Sequence, residues 1–72
     1  MATLGERLRG EREKAELGQE KMAKILGISL RAYQMYEYGE GYPRYTTLLF
    51  LGDYFNVSLD YLVGRSNIRE RR

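Results

Sequence analysis

The side chains best placed to do chemistry in this 72-residue sequence donate and accept hydrogen bonds; they do not form a catalytic set. Histidine and cysteine are absent, which removes the usual nucleophile–base pairs and the commonest metal ligands. No glycine-rich phosphate loop occurs. Asp53 and Asp60 come nearest to a paired carboxylate, and each is explained as helix surface or helix cap. So short a chain also has little room for the ~300 Å³ pocket of a typical small-molecule site. An enzyme, a metal, a cofactor and a small-molecule substrate are therefore not expected. What remains is a dense group at residues 29–38, SLRAYQMYEY. An arginine can present two N–H groups to guanine, and a glutamine one donor and one acceptor to adenine; apolar side chains can pack on thymine methyls. Arg31, Gln34, Leu30 and Met35 supply these types within six residues.

Such a group works only if a helix holds it outward and other helices hold that helix. Thr3 followed by Glu6 forms a capping box, and Leu4, Leu8 and Ala15 then share one face of a first helix through residue 15. Gly18 can cap a second helix, Gln19 to Leu26, with Met22, Ala23, Ile25 and Leu26 apolar. Gly27 suits a left-handed helix end. Ser29 caps a third helix to about Tyr38, closed by Gly39. The run GEGYPR at residues 39–44 reads as a loop. A fourth helix, Tyr45 to Phe55, places Leu48, Leu51 and Phe55 at helical spacing, and Asn56 can close it. Ser58 caps a short fifth helix, Leu59 to Val63, ended by Gly64. With no strand-like alternation and no repeat, the expected fold is all-α: five short helices in one domain, residues 1–64. The basic tail, residues 65–72, is expected to be flexible.

The segment from Gln19 to Tyr38 has a particular logic. Two helices crossing steeply need a small residue at their approach, met by Ala23, and a tight left-handed turn, met by Gly27. Met22, Leu26, Ile28, Tyr33 and Tyr36 can bury the inner face. Leu30, Arg31, Gln34, Met35 and Tyr38 are then left outside on the second helix. This is a helix-turn-helix, in which the second helix lies in the major groove of DNA.

The pieces LGQEKMAKILGIS, YQMYEYGEGYP and VSLDYLVG, with Gln19, Ala23, Gly27, Glu37, Gly39 and Pro43 in order, resemble the phage-repressor (XRE, Cro/repressor) helix-turn-helix family over about residues 4–64. The resemblance implies a sequence-specific DNA-binding regulator, in most cases a repressor, of bacterial or phage origin. It implies that Gln19 braces a DNA phosphate, and that Ser29, Leu30, Arg31 and Gln34 form the exposed start of the recognition helix. It further implies that Arg12 and Glu37 pair between the first and third helices. This sequence departs from the family pattern in three places. Tyr33 puts a ring and a hydroxyl where a smaller apolar residue is usual. Leu30 and Met35 replace polar residues. Glu40, Tyr42 and Tyr45 stand in a loop that often carries cations, leaving Arg44 and the tail to compensate.

The net charge is +2, but the tail holds four arginines against Glu70, so residues 1–64 carry eight basic and nine acidic side chains. DNA affinity must therefore come from local placement of charge. Eleven charges in residues 1–26 argue against a signal peptide, and no apolar run approaches a membrane span. A cytoplasmic protein, at the nucleoid when bound to DNA, is expected. A homodimer is also expected, through Leu59, Tyr61 and neighbouring Leu62, with Leu49, Phe50 and Tyr54 as further apolar side chains. Seven tyrosines leave an alternative open, a protein–protein interaction module on the same frame with weak or no DNA binding.

Overall fold

The computed structural model describes residues 2–71, so the part of the sequence reading that falls on Met1 and on Arg72 of the tail lies outside the described residues. Five helices run in chain order: α1 Leu4–Lys14, α2 Gln19–Leu26, α3 Leu30–Tyr38, α4 Tyr45–Phe55 and α5 Leu59–Leu62. No strand occurs among the described residues. Each boundary has a local cause. At the start of α1 the Thr3 amide donates to Glu6 at 2.9 Å and the Glu6 amide donates to the Thr3 hydroxyl at 3.2 Å, the reciprocal bonds of a capping box. Ser29 and Ser58 accept from the amides of Ala32 and Tyr61 and so cap α3 and α5. Gly27 ends α2 in the left-handed region at φ +70°, which lets the Ile28 amide reach the Ala23 carbonyl at 3.0 Å. That single turn sets the angle between α2 and α3.

Leu4, Leu8, Met22, Ala23, Tyr33, Leu51, Phe55, Val57 and Leu62 form one buried core drawn from α1 through α5 and the α4–α5 turn. The first helix ends differently from the sequence expectation. Ala15 caps α1 and is exposed, because the chain turns left-handed at Glu16, φ 58°, and brings Leu17 rather than Ala15 onto the core.

The tail, expected to be flexible, makes contacts with the body in the structure. Ser58 donates its amide to the Arg69 carbonyl at 3.0 Å and its hydroxyl to the Ile68 carbonyl at 3.1 Å. Arg7 donates to the carbonyls of Tyr61 and Ser66 and to the Asn67 side chain. Arg69 forks onto Glu11 with bonds of 2.9 and 2.7 Å. The physical reason is Glu11 itself, whose side chain is only 2% exposed. A carboxylate so enclosed requires a cation. The hydrogen bonds from Arg69 dominate over desolvation and hold Glu11 below the ordinary carboxylate range. Arg71 pairs with Asp53 at the surface.

Helix α1 carries two glycines with opposite roles. A Cβ on Gly5 would be driven into the backbone carbonyl of Glu37 and lie 3.0 Å from that of Tyr36, so α1 and α3 touch backbone to backbone. A Cβ on Gly10 would meet nothing within 4 Å. Gly5→Ala is expected to destabilise the fold by about 1–3 kcal/mol through overpacking. Gly10→Ala is expected to stabilise it by roughly 0.5–1 kcal/mol through helix propensity. Urea unfolding of the two variants checks both; equal shifts of the same sign would contradict the close approach.

Candidate nucleic-acid interface

Helix α3 divides along its length. Tyr33 is fully buried, while Leu30 is 36% and Tyr38 61% exposed and Arg31 is open to solvent. Positions 31, 34 and 38 follow the three- and four-residue spacing of one helix face, so Arg31, Gln34 and Tyr38 lie in a row. Ser29 stands at the head of this row, with its hydroxyl oxygen already accepting from Ala32 at 3.1 Å. Arg44 is exposed at the start of α4, and its side chain makes no capping bond. Two expected outward side chains are less open than the sequence suggested. Met35 is half-buried, with its methyl carbon 3.6 Å from where a Cβ on Gly41 would stand, and Gln34 is half-buried and hydrogen-bonded to Gln19.

That bond belongs to a polar network behind the exposed row. Arg12 reaches across from α1 and donates from Nε to Glu37 Oε2 at 2.6 Å and from Nη2 to Oε1 at 3.2 Å. Its third bond goes to the Leu17 carbonyl at 2.8 Å. The pair that the resemblance implied is therefore present, with side chains 10% and 1% exposed. The Tyr33 hydroxyl donates to Glu37 Oε2, which answers the demand created by placing a tyrosine in the core. Gln19, the first residue of α2, donates from Nε2 to Glu37 Oε1 at 3.1 Å. Gln34 in turn donates from Nε2 to Gln19 Oε1 at 3.1 Å. Gln19, Gln34, Tyr33, Glu37 and Arg12 are thus one connected unit across three helices.

The electrostatics follow from this geometry. Burial alone would raise the Glu37 carboxyl, but hydrogen bonds from Arg12, Tyr33 and Gln19 outweigh it and keep the group below the ordinary carboxylate range. Burial, reinforced by the neighbouring carboxylate, pushes the Tyr33 phenol strongly upward, so it stays a neutral donor. The bond to Glu37 raises Arg12. No group of three or more potential metal ligands occurs among the described residues.

A helix-turn-helix family model matches residues 8–62, which includes α2, the turn, α3 and the polar network. This chain belongs to the phage-repressor (XRE-type) helix-turn-helix family. It is 42% identical over 60 residues to the cryptic phage CTXphi transcriptional repressor RstR of Vibrio cholerae, covering 83% of this chain and 54% of the relative. It is 44% identical over 63 residues to the HTH-type transcriptional regulator YqaE of Bacillus subtilis, covering 86% of this chain and 54% of the relative. The chain therefore spans about half the length of the curated relatives it matches. Among solved structures it superposes with a TM-score of 0.80 and 32% identity on the P22 c2 repressor in complex with a synthetic operator, covering 92% of this chain and all of that one. The helix-turn-helix family membership accounts for Ala23, buried at the α2–α3 approach, and for Gly27, whose left-handed turn joins the two helices.

Sequence reasoning missed the link from Gln19 to Glu37 and Gln34, because no local spacing signals a bond between residues eighteen and fifteen apart. The Tyr33–Glu37 bond carried a signal that was not used, the four-residue spacing of one helix face.

The ion pair gives a signed pH dependence. Glu37 has its pKa depressed below the 4.5 of an ordinary glutamate, so its stabilisation is fully present above about that pH and is lost as pH falls through the lower folded value. Arg12→Met is expected to cost about 3–5 kcal/mol near neutral pH by leaving a buried charge without its cation. The gap from the wild-type chain should narrow in acid, where both bind a proton at Glu37. Thermal unfolding across pH tests this, and an unchanged melting temperature near neutrality would contradict it.

Proposed function

We propose that this chain is the DNA-binding part of a transcriptional repressor, reading duplex DNA with α3 in the major groove. The observation that carries the reading is the row of exposed Arg31, half-buried Gln34 and exposed Tyr38, backed by a buried network and matched in fold by a repressor in complex with a synthetic operator. Arg31 reads guanine and Gln34 adenine; Leu30 and the outer part of Met35 pack on thymine methyls. Tyr38 contacts the duplex at the far end of the row. Gln19, Ser29 and Arg44 hold phosphates on either side, and the amide ends of α2 and α3 add favourable dipoles. The place of action is the cytoplasm, on bacterial or phage DNA.

The salt dependence is expected to be shallow, since slope scales with the number of phosphates neutralised and Arg69 and Arg71 already pair within the chain. Arg31→Ala should relax preference at one base-pair position, with about 1–3 kcal/mol of discrimination lost there. Competition binding on single-base-pair variants of a selected duplex tests this. An equal loss on every duplex would make Arg31 a phosphate contact, and no binding at low salt by the wild-type chain would favour the protein-interaction module instead.

Nine residues of helix read few base pairs, so two copies on a palindromic site, with recognition helices ~34 Å apart, are expected. Leu59 and Tyr61 are half-buried and lie at the edge of the proposed interface, whereas Leu62 is fully buried and serves the core. Helix α4 adds exposed apolar side chains: Leu49 at 37%, Phe50 at 42% and Tyr54 at 44%. Phe50 and Tyr54 stack with centroids 5.8 Å apart, and Phe50 also borders a groove lined by Ile25, Leu26, Thr46 and Thr47. Sedimentation at micromolar concentration, with and without a palindromic duplex, should give a two-to-one complex. A one-to-one complex of full affinity would exclude the symmetric dimer.

A further inference from the structure

Gln34 is the amide at the groove, and an amide can present its donor and acceptor either way round. Here its direction is dictated from behind. Both oxygens of Glu37 are occupied as acceptors: Oε2 by Arg12 and Tyr33, Oε1 by Arg12 and Gln19. An ionised carboxylate offers no proton, so the Gln19 amide must turn its nitrogen toward Glu37, which aims its carbonyl at Gln34. Gln34 must then give one of its two N–H groups to Gln19.

We infer that Glu37 acts as a positioning residue for base recognition, fixing the direction of the Gln19 and Gln34 amides so that Gln34 favours adenine and rejects guanine. With one N–H committed, Gln34 has one donor and one acceptor left. Adenine presents one acceptor, N7, and one donor, N6, in the major groove; guanine presents two acceptors, N7 and O6. An unconstrained glutamine could turn both N–H groups toward guanine. This one cannot, and its carbonyl would face the guanine O6. The inference rests on the proposed placement of α3 in the groove and adds to it a source of specificity that touches no base.

The test uses the full chain and a randomised duplex pool, from which a preferred duplex is selected. Gln34→Ala first locates the base pair that Gln34 reads, as the position whose preference is lost. Gln19→Met then removes the carbonyl that holds Gln34 while leaving the Arg12 and Tyr33 bonds to Glu37 untouched. The expected result is a fall of about tenfold in the adenine-over-guanine ratio at that position alone. Any loss of a Gln19 phosphate contact lowers affinity for all duplexes equally and cancels in the ratio. An unchanged ratio, or guanine preferred by the wild-type chain at that position, overturns the proposal.

A measurement independent of the variant's folding is the nuclear magnetic resonance of the free wild-type chain. One side-chain amide proton of Gln19 and one of Gln34 should be slow to exchange and shifted from free-glutamine positions. Free-glutamine behaviour at Gln34 overturns the lock itself. A protected Gln34 in a chain that selects no DNA sequence would instead leave the lock standing and overturn its role in duplex recognition.

Discussion

The Glu37 carboxylate is the constraint on which the rest of the molecule depends. Its side chain is 1% exposed and it accepts from residues on α1, α2 and α3. A buried ion pair adds little net stability compared with a well-packed apolar alternative, yet breaking it is costly. Its value lies in direction. Apolar packing of Met22, Leu8 and Tyr33 brings the three helices together, but hydrophobic contact is non-directional and tolerates sliding and rotation. Hydrogen bonds of 2.6 to 3.2 Å from Arg12 and Gln19 admit one rotation of α3 about its axis, the rotation that puts Arg31 and Gln34 outside. Tyr33 fits the same scheme. It places a hydroxyl in the core and directs it to the Glu37 carboxylate, so a departure from the usual small apolar residue becomes another tie to Glu37.

Helix α1 serves as the rail for both ends of the chain. Its neighbouring residues Glu11 and Arg12 are both buried and have partners at different distances along the chain: Arg12 reaches Glu37 on α3, and Glu11 receives Arg69 from the tail. Gly5 on the same helix allows the backbone contact with α3 that shortens the reach of Arg12. Arg7 covers the Tyr61 ring at 3.8 Å while donating to carbonyls beyond it. Three side chains and one glycine of a helix with a modest apolar stripe therefore determine where α3, α5 and the tail sit. This is how so short a chain, which has no cysteine for a disulfide, obtains one defined arrangement from a core of nine buried apolar residues.

What was legible in the sequence divides by range. Helix starts at Thr3, Ser29 and Ser58 and ends at Gly27, Gly39 and Asn56 were readable because capping depends on residues within one turn. The buried set on α2, α3 and α4 was readable from helical spacing. Ala15 was misplaced because nothing in the composition of Glu16 announces a left-handed residue. The contacts of the tail were not legible because a run of arginines looks solvated until a buried acid such as Glu11 is found for it, and that acid lies fifty-eight residues away. The open positions of α3 at Arg31 and Tyr38 were legible from periodicity, but the bonds behind them were not. They join side chains from different helices, and spacing within one helix cannot show them.

The charge distribution bears on how such a surface would discriminate. With Arg69 and Arg71 engaged with Glu11 and Asp53, the tail contributes less free positive charge than its composition implies. Lys14 likewise lies 3.7 Å from Glu11. A DNA-binding surface built this way gains little from sequence-independent attraction to phosphates, the component that supplies most non-specific binding. Base-edge contacts then make up a larger share of the total, and their geometry has more effect on the outcome. A side chain held by hydrogen bonds before DNA arrives loses less conformational freedom on binding than one that must be ordered at that moment. The sparse cations and the prearranged Gln19–Gln34 pair are thus parts of one design. In the proposed reading, weak attraction to all DNA would lower the background, and a polar row fixed by Glu37 would let a few contacts distinguish one sequence from another.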